Sequence, residues 1–331
     1  MTTSRRYVLT NRPEGLPGPD NFSIETQTLS APDAGELVVR VRLVALSPWQ
    51  GQRLKDFRNY TKPFEIGELI DCDVLGEVVE GEAGGFAPGD LVTGRLGWQE
   101  YAVTTPDQLL RAGDEFDETL WLTALSSPGL TAYCALDMFA RPMPGQTLVV
   151  TSAAGSVGSY AVQLGKLAGM RVVGICSARK CEAVVDRLGA DVAIDHQSEQ
   201  FASELAAACG DGAHVVFDTV GGPVADAVFD NIAKYAKVVM VGRTISNNSD
   251  RPDLDYVNMR QLWAREASIQ CFSRYSYPRE WAFARERMIE LCRDNKIVAI
   301  DQVLEGFENT PQALGDMLGG KYTGKVMVRY A

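Results

Sequence analysis

From residue 1 to about 123 the chain alternates short apolar, β-branched runs with breaks rich in glycine and proline. The runs "ELVVRVRLVAL", "VLGEVVEG" and "GDLVTGRLGWQEYAV" are punctuated by "GEAGG" and "PGD", a pattern that predicts a small β-barrel rather than a helical domain. From about residue 124 the rhythm changes. Strands are predicted at "TLVVTS", "RVVGICS", "DVAIDH", "HVVFDTVGG" and "KVVMVGR", and between them lie helical stretches such as "KCEAVVDRLGA", "SEQFASELAAAC" and "PVADAVFDNIAKYA". Parallel neighbours need crossover helices, so this alternation predicts an α/β, doubly wound parallel sheet. "EWAFARERMIELCRDN" reads as one more helix, and "KVMVRYA" as a last strand returning to the barrel. The expected division is residues 1–123 with 298–331 in one domain and 124–297 in the other.

The stretch "VVTSAAGSVGS" ends a buried strand in a turn with almost no side chains, and helical spacing resumes at Val157, Tyr160, Ala161, Leu164 and Leu167. Ala153, Gly155 and Gly158 match the spacing of a dinucleotide-binding turn with alanine in the first position. Glycine in the second position lets backbone approach a pyrophosphate. In the third it lets the helix pack on the strand, and the helix N-terminus offers N–H groups to the anion. Such a sheet binds ligand at the C-terminal ends of its strands. Ala154, Gly155, Val157 and Gly158, with Val220 of "DTVGG", are therefore candidate cofactor contacts.

The end of the second strand selects the cofactor. An NAD site places Asp or Glu there to hold the ribose 2'-hydroxyl. Here Cys176 and Ser177 stand in that place, followed by Arg179 and Lys180. Cations oppose the dipole at a helix N-terminus, so the pair is better explained by a bound anion. Arg179, Lys180 and the Ser177 hydroxyl suit a 2'-phosphate, which predicts NADPH; His196, ending the next strand, is a further candidate contact.

Composition narrows the classes. The chain's 331 residues call for two domains. A net charge of −11 argues against a nucleic-acid or anionic-membrane surface, so any phosphate site must be a local basic pocket. No apolar stretch has the length of a signal peptide core or a membrane span, and a cytoplasmic location is expected. The seven cysteines never fall as Cys-x-x-Cys and are expected to be reduced thiols.

On "NRPEGLPGPDNF", "GWQEYAV", "PGLTAY", "AAGSVGS", "DTVGG" and "EGFENTPQALGDMLGGKYTGKVMV" the sequence resembles the medium-chain dehydrogenase/reductase superfamily, in its zinc-independent branch of NADPH-dependent double-bond reductases. That branch includes curcumin reductase, prostaglandin reductase and plant 2-alkenal reductases. The resemblance covers essentially the whole chain. It implies a GroES-like catalytic barrel, a Rossmann NADP-binding domain, a homodimer and a small-molecule substrate. Where metal-dependent relatives carry zinc ligands, this chain has Ser47, Cys72-Asp73 and Ser127; one thiol cannot hold a catalytic zinc, so no metal is expected. A carbonyl must then be polarised by hydrogen bonds, which favours hydride transfer to the β-carbon of an enone or enal.

The resemblance also implies site residues. Thr131 in "GLTAY" and Gly242 are expected at the nicotinamide end. Tyr275 is the expected catalytic phenol, with Tyr277 beside it in the segment that edges the substrate cleft in relatives. Trp49 and Tyr101 are expected to line an aromatic substrate pocket, and Trp98 to fill the barrel core. The chain departs from the branch in three places: "PWQ" puts Trp49 where many members have a pocket tyrosine, Tyr322 replaces a cofactor-facing asparagine, and Asn247-Asn248 replace a tyrosine-asparagine pair. These departures bear on the substrate, and leave open the reduction of a ketone or quinone in the same fold, or an NADP-binding sensor without catalysis.

Overall fold

The computed structural model describes residues 2–56, 61–244, 258–273 and 276–330, which fall into two compact units. One unit joins Met1–Leu122 to Asp301–Ala331; the other is Thr123–Ile300.

The first unit is built on β3 (Leu37–Leu46), the longest strand of its sheet. Its antiparallel partners are β4 (Asp73–Glu80), β6 (Tyr101–Thr104) and the C-terminal β15 (Lys325–Arg329). The sheet continues from β4 to β5 (Leu91–Arg95) and β7 (Leu109–Arg111), and from β15 to the parallel β14 (Asp301–Glu305). Gly76 lets β3 and β4 meet closely: a Cβ there would stand 2.5 Å from Val39 Cγ1 and 2.7 Å from the Arg40 carbonyl oxygen. A separate hairpin pairs β1 (Thr2–Leu9) with β2 (Phe22–Leu29). Tyr7 stacks on Phe307 and meets the edge of the fully buried Trp98, which also packs against Phe22. Trp98 is thus core, joined to residues from both ends of the chain.

The second unit carries a six-stranded, wholly parallel sheet: β8 (Thr147–Thr151), β9 (Arg171–Cys176), β10 (Val192–Asp195), β11 (Ala213–Asp218), β12 (Ile232–Met240) and β13 (Ser268–Cys271), in the order β10-β9-β8-β11-β12-β13. Chain order departs from β8 in opposite directions, so the ligand-binding crevice of such a fold lies where β8 and β11 diverge. All five residues of β8 are buried, as expected of a central parallel strand covered on both faces. The crossovers include α3 (Gly158–Leu167), α4 (Ala178–Asp186), α5 (Phe201–Cys209) and α6 (Gly222–Phe229).

One predicted helix is shorter than its pattern. The helical reading of "PVADAVFDNIAKYA" runs past Phe229, but Ile232–Ala236 belong to β12. Ile232, Ala233 and Ala236 repeat at helical spacing, yet Tyr235 adopts φ 62° and the pairing with β11 jumps from Ile232 to Lys237. The left-handed residue at this bulge breaks the helical pattern and lets the apolar positions face the sheet core.

Candidate functional site

The turn after β8 is shaped by contacts that leave no room for side chains. Ser152 takes a left-handed φ of 51°, and its carbonyl accepts a 2.8 Å bond from the Gly155 N–H. A Cβ on Gly158 would lie 2.2 Å from the Ser152 oxygen, and one on Gly155 would lie 2.7 Å from Ser152 Oγ. Both glycines let the chain fold back so that α3 starts directly against the strand end. Ala153 occupies the first position of the motif, and the neighbouring strand accommodates its methyl: a Cβ on Gly174 of β9 would meet Ala153 Cβ at 2.8 Å. Ala154 is buried, while Gly155 and Val157 remain half-buried at the start of α3. At the start of α3 the Ser159 N–H donates to the Gly155 carbonyl at 3.0 Å, and the Tyr160 and Ala161 N–H groups donate to the Val157 carbonyl, so the donors that could meet an anion are those of the turn ahead of Ser159.

Across the crevice, β11 ends on Asp218, which is fully buried. Its Oδ1 accepts from Thr151 Oγ1 at 2.7 Å and from the Val220 N–H at 3.1 Å, and both its carboxylate oxygens accept from the Gly221 N–H at 3.2 Å. Thr151 Oγ1 in turn accepts from the Thr219 N–H at 2.9 Å. This network fixes the "DTVGG" loop beside the glycine turn. The end of β12 is tied to it as well, for the Val241 N–H donates to the Asp218 carbonyl at 2.8 Å. A Cβ on Gly242 would lie 3.3 Å from the Thr219 oxygen, so this position is tight. Sequence reasoning singled out Val220 and Gly242 but not Asp218 or Thr151.

On the other side of β8, β9 ends on Cys176 and Ser177 stands at the N-cap position of α4, placing Arg179 and Lys180 in its first turn. Arg179 is exposed and Lys180 half-buried. Burial, and then the neighbouring Arg179 charge, pull the Lys180 ammonium below the ordinary lysine value. His196 follows β10; its Nδ1 lies 2.8 Å from the Cys176 carbonyl oxygen, which also accepts from the His196 N–H at 3.0 Å. A carbonyl only accepts, so Nδ1 carries the hydrogen, and Nε2 can donate to an anion only as imidazolium. These strand ends run contiguously, since the Ala153 N–H donates to the Ile175 carbonyl at 2.9 Å. Ala154, Gly155, Val157, Gly158, Ser177, Arg179, Lys180, His196, Val220 and Gly242 therefore share the C-terminal edge of one sheet. An anion cradle at α3 with a cationic helix start beside it fits a dinucleotide carrying a 2'-phosphate.

Other expected site residues fall elsewhere. Thr131 is buried in α2 (Ser127–Cys134), which packs on α3. Tyr277 precedes the helix Pro278–Arg293, its ring stacked on Phe272 at 5.6 Å and edge-on to Phe139. Tyr275, Asn247 and Asn248 lie outside the described residues.

In the first unit, Trp49 is half-buried in α1 (Pro48–Arg53), with the Arg95 guanidinium 4.7 Å from its ring centroid. Tyr101 is half-buried on β6. The Tyr322 hydroxyl donates to Asp316 Oδ2 at 3.1 Å, and burial together with that carboxylate pushes the phenol up from its ordinary value. Lys325, almost fully buried, donates from Nζ to Ser47 Oγ at 2.7 Å.

The fold and the glycine turn define a dinucleotide-dependent oxidoreductase, and the chain belongs to the medium-chain dehydrogenase/reductase superfamily. Residues 5–112 match the family described as the N-terminal domain of oxidoreductase, and residues 156–290 match the zinc-binding dehydrogenase family. Among named relatives, the chain is 35% identical to the NADPH-dependent curcumin reductase of Escherichia coli (strain K12), over 99% of this chain and 97% of the relative. It is 28% identical to the NADP(+)-dependent 2-alkenal reductase of Nicotiana tabacum, over 98% of this chain and 97% of that one. The crystal structure of CurA from Vibrio vulnificus in complex with NADPH superposes with a TM-score of 0.93 at 32% identity, covering 99% of both chains. The parallel dinucleotide-binding sheet and the GroES-like barrel expected from the sequence are the architecture of this superfamily.

Proposed function

We propose that the chain is an NADPH-dependent reductase of the activated carbon–carbon double bond in a medium-sized α,β-unsaturated ketone or aldehyde. The observation that carries this reading is a whole-chain identity of 35% to a curcumin reductase, and the cations Arg179 and Lys180 in the first turn of α4 support it. The α3 N-terminus and Gly155 would hold the pyrophosphate, Ser177, Arg179, Lys180 and His196 the 2'-phosphate, and Val220, Gly242 and Thr131 would flank the nicotinamide half. When bound, NADPH would supply the hydride that the β-carbon takes up.

The chain's own residues then have to stabilise the enolate oxygen and deliver a proton to the α-carbon. Tyr275 is the proposed phenol, with Trp49, Tyr101 and Tyr277 as substrate walls. Tyr322 is proposed as a cofactor-side residue whose hydroxyl is engaged by Asp316. At the places where metal-dependent relatives bind zinc, Ser47 and Ser127 offer no thiolate, and the Lys325 ammonium 2.7 Å from Ser47 Oγ opposes a second cation. That supports double-bond reduction without a Lewis acid. The residues 1–123 and 298–331 form the proposed catalytic domain and 124–297 the NADP-binding domain. A cytoplasmic homodimer completes the proposal, with sedimentation velocity as its check; among the described residues no helix is long and apolar enough to cross a membrane.

The deciding experiment is anaerobic incubation with NADPH and a conjugated aryl enone, followed by NMR of the product. A saturated ketone is expected. An allylic alcohol would assign carbonyl reduction, and absence of any product despite NADPH binding would remove the double-bond assignment for this substrate class.

A further inference from the structure

Two thiols bracket the segment assigned to the 2'-phosphate. Cys176 ends β9 and Cys181 stands in the first turns of α4, with Ser177, Ala178, Arg179 and Lys180 between them. Their Sγ atoms are 3.4 Å apart, and Cys181 Sγ also donates to the Ser177 carbonyl at 3.7 Å. Both cysteines are free; Cys176 is buried, whereas Cys181 is half-buried. Burial, reinforced by the neighbouring Cys181 thiol, pushes the Cys176 thiol far above its ordinary value. The buried sulfur is thereby inert by itself, and reaction begins at the more exposed one.

We propose that Cys176 and Cys181 form a reversible dithiol/disulfide modification site, and that closing the disulfide weakens NADPH binding. The second half of this inference rests on the proposed role of Ser177, Arg179 and Lys180. With a peroxide as oxidant, the Cys181 thiol attacks the O–O bond to give a sulfenic acid and water. The Cys176 sulfur then attacks the Cys181 sulfur; hydroxide leaves and takes the Cys176 proton as a second water. Two electrons pass from the sulfurs to the peroxide, and a thiol such as glutathione or thioredoxin returns them by exchange.

The covalent bond measures about 2.05 Å, so making it draws the first turn of α4 toward β9. The Lys180 N–H now donates to the Ser177 carbonyl at 2.8 Å, and the Cys176 carbonyl anchors His196. Every proposed 2'-phosphate contact is therefore attached to the six-residue ring that the disulfide would close. Linkage requires the reverse effect: bound NADPH must favour the dithiol, shifting the redox midpoint of the pair in a glutathione buffer.

The test treats the full-length protein with hydrogen peroxide, maps peptides by mass under non-reducing conditions, and measures the NADPH dissociation constant by fluorescence before and after. The expected result is a Cys176–Cys181 cross-link, an NADPH dissociation constant raised at least tenfold, recovery with dithiothreitol, and no such response in Cys181→Ser. Absence of that cross-link when other thiols oxidise, or a cross-link that leaves the constant within twofold, would overturn the inference. The peptide map reports on the thiols without reference to cofactor, while the NADPH-to-NADH preference of the reduced protein reports on the phosphate assignment. A reduced protein without that preference would sink the assignment and the control over affinity with it.

Discussion

The Asp218 carboxylate accepts a 2.7 Å hydrogen bond from Thr151 Oγ1 across the divergence of β8 and β11, in a site that excludes solvent from Asp218 completely. Because the same carboxylate also receives the Val220 and Gly221 N–H groups, it holds the "DTVGG" loop against the glycine turn. Asp218→Ala removes the acceptor from three donors at once, and unsatisfied buried donors cost about 1–3 kcal/mol each before relaxation. A loss of about 3 kcal/mol in urea unfolding is expected, with NADPH KM raised about tenfold. Asp218→Asn keeps Oδ1 as an acceptor and should lose less than half as much; equal losses in both variants would contradict the assigned geometry.

Gly158→Ala puts a methyl 2.2 Å from the Ser152 carbonyl oxygen, so backbone must move. Displacing the start of α3 by even a few tenths of an ångström misaims its N–H groups. We expect NADPH affinity to fall at least tenfold, read by fluorescence titration, with NADH affected equally because the pyrophosphate is common to both. Unchanged binding of both cofactors would remove the turn from the pyrophosphate site.

Arg179→Ala with Lys180→Ala has the opposite signature. Charge-assisted hydrogen bonds contribute about 1.5–3 kcal/mol each, so the double variant should raise NADPH KM by about 100-fold and leave NADH KM within about twofold. Equal losses with both cofactors would count against the phosphate pocket.

Lys180 also sets a pH dependence. Its folded-state pKa is lowered by burial and Arg179, so between that value and the ordinary lysine value the unfolded chain binds more protons, and stability rises with pH. NADPH binding is expected to run the other way, because the proposed 2'-phosphate contact needs the ammonium. NADPH KM should therefore climb on the alkaline side below the ordinary lysine pKa of about 10.4. Lys180→Arg stays charged and should flatten that limb of the KM profile. A profile identical to that of the unmodified protein would assign the titration elsewhere.

Tyr275→Phe is expected to lower kcat for enone reduction about 10- to 100-fold, in the range of general-acid contributions, with NADPH KM unchanged. Tyr277, whose ring is stacked on Phe272, should tolerate phenylalanine with kcat within about twofold. Steady-state kinetics of the two variants side by side decides which phenol matters.

The parts of this architecture visible in the sequence were those with a periodic or steric signature. The apolar run of β8 followed by Ala153, Gly155 and Gly158 has one physical explanation, because backbone packing of this kind tolerates no side chain at Gly158. The missing acid at Ser177 was equally legible. β13 and β14 were not: "SIQC" and "DQVLE" are short, and neither strand holds a fully buried residue, so no alternation betrays them. Asp218 lay within a recognised motif, but a buried acceptor and a solvated carboxylate are the same letter; only the register of β11 against β8 puts it opposite Thr151. The Cys176 and Cys181 pair escaped notice for a similar reason. Four residues separate them in the chain, and the strand-to-helix turn is what brings the sulfurs together.

The last strand, β15, pairs with β3 along Val326–Leu46 to Arg329–Leu43, while among the described residues β14 pairs only with β15 in that sheet. A ribosome making this chain releases β3 long before its neighbour exists. The Thr123–Ile300 unit has every strand of its described sheet in hand as soon as residue 300 emerges, whereas the unit around β3 waits with an open, apolar edge until β15 leaves the exit tunnel. Synthesis thus imposes a sequence of events on folding that the finished molecule no longer displays: the nested unit can mature first, and a chain cut ahead of β15 would leave the outer one unsealed.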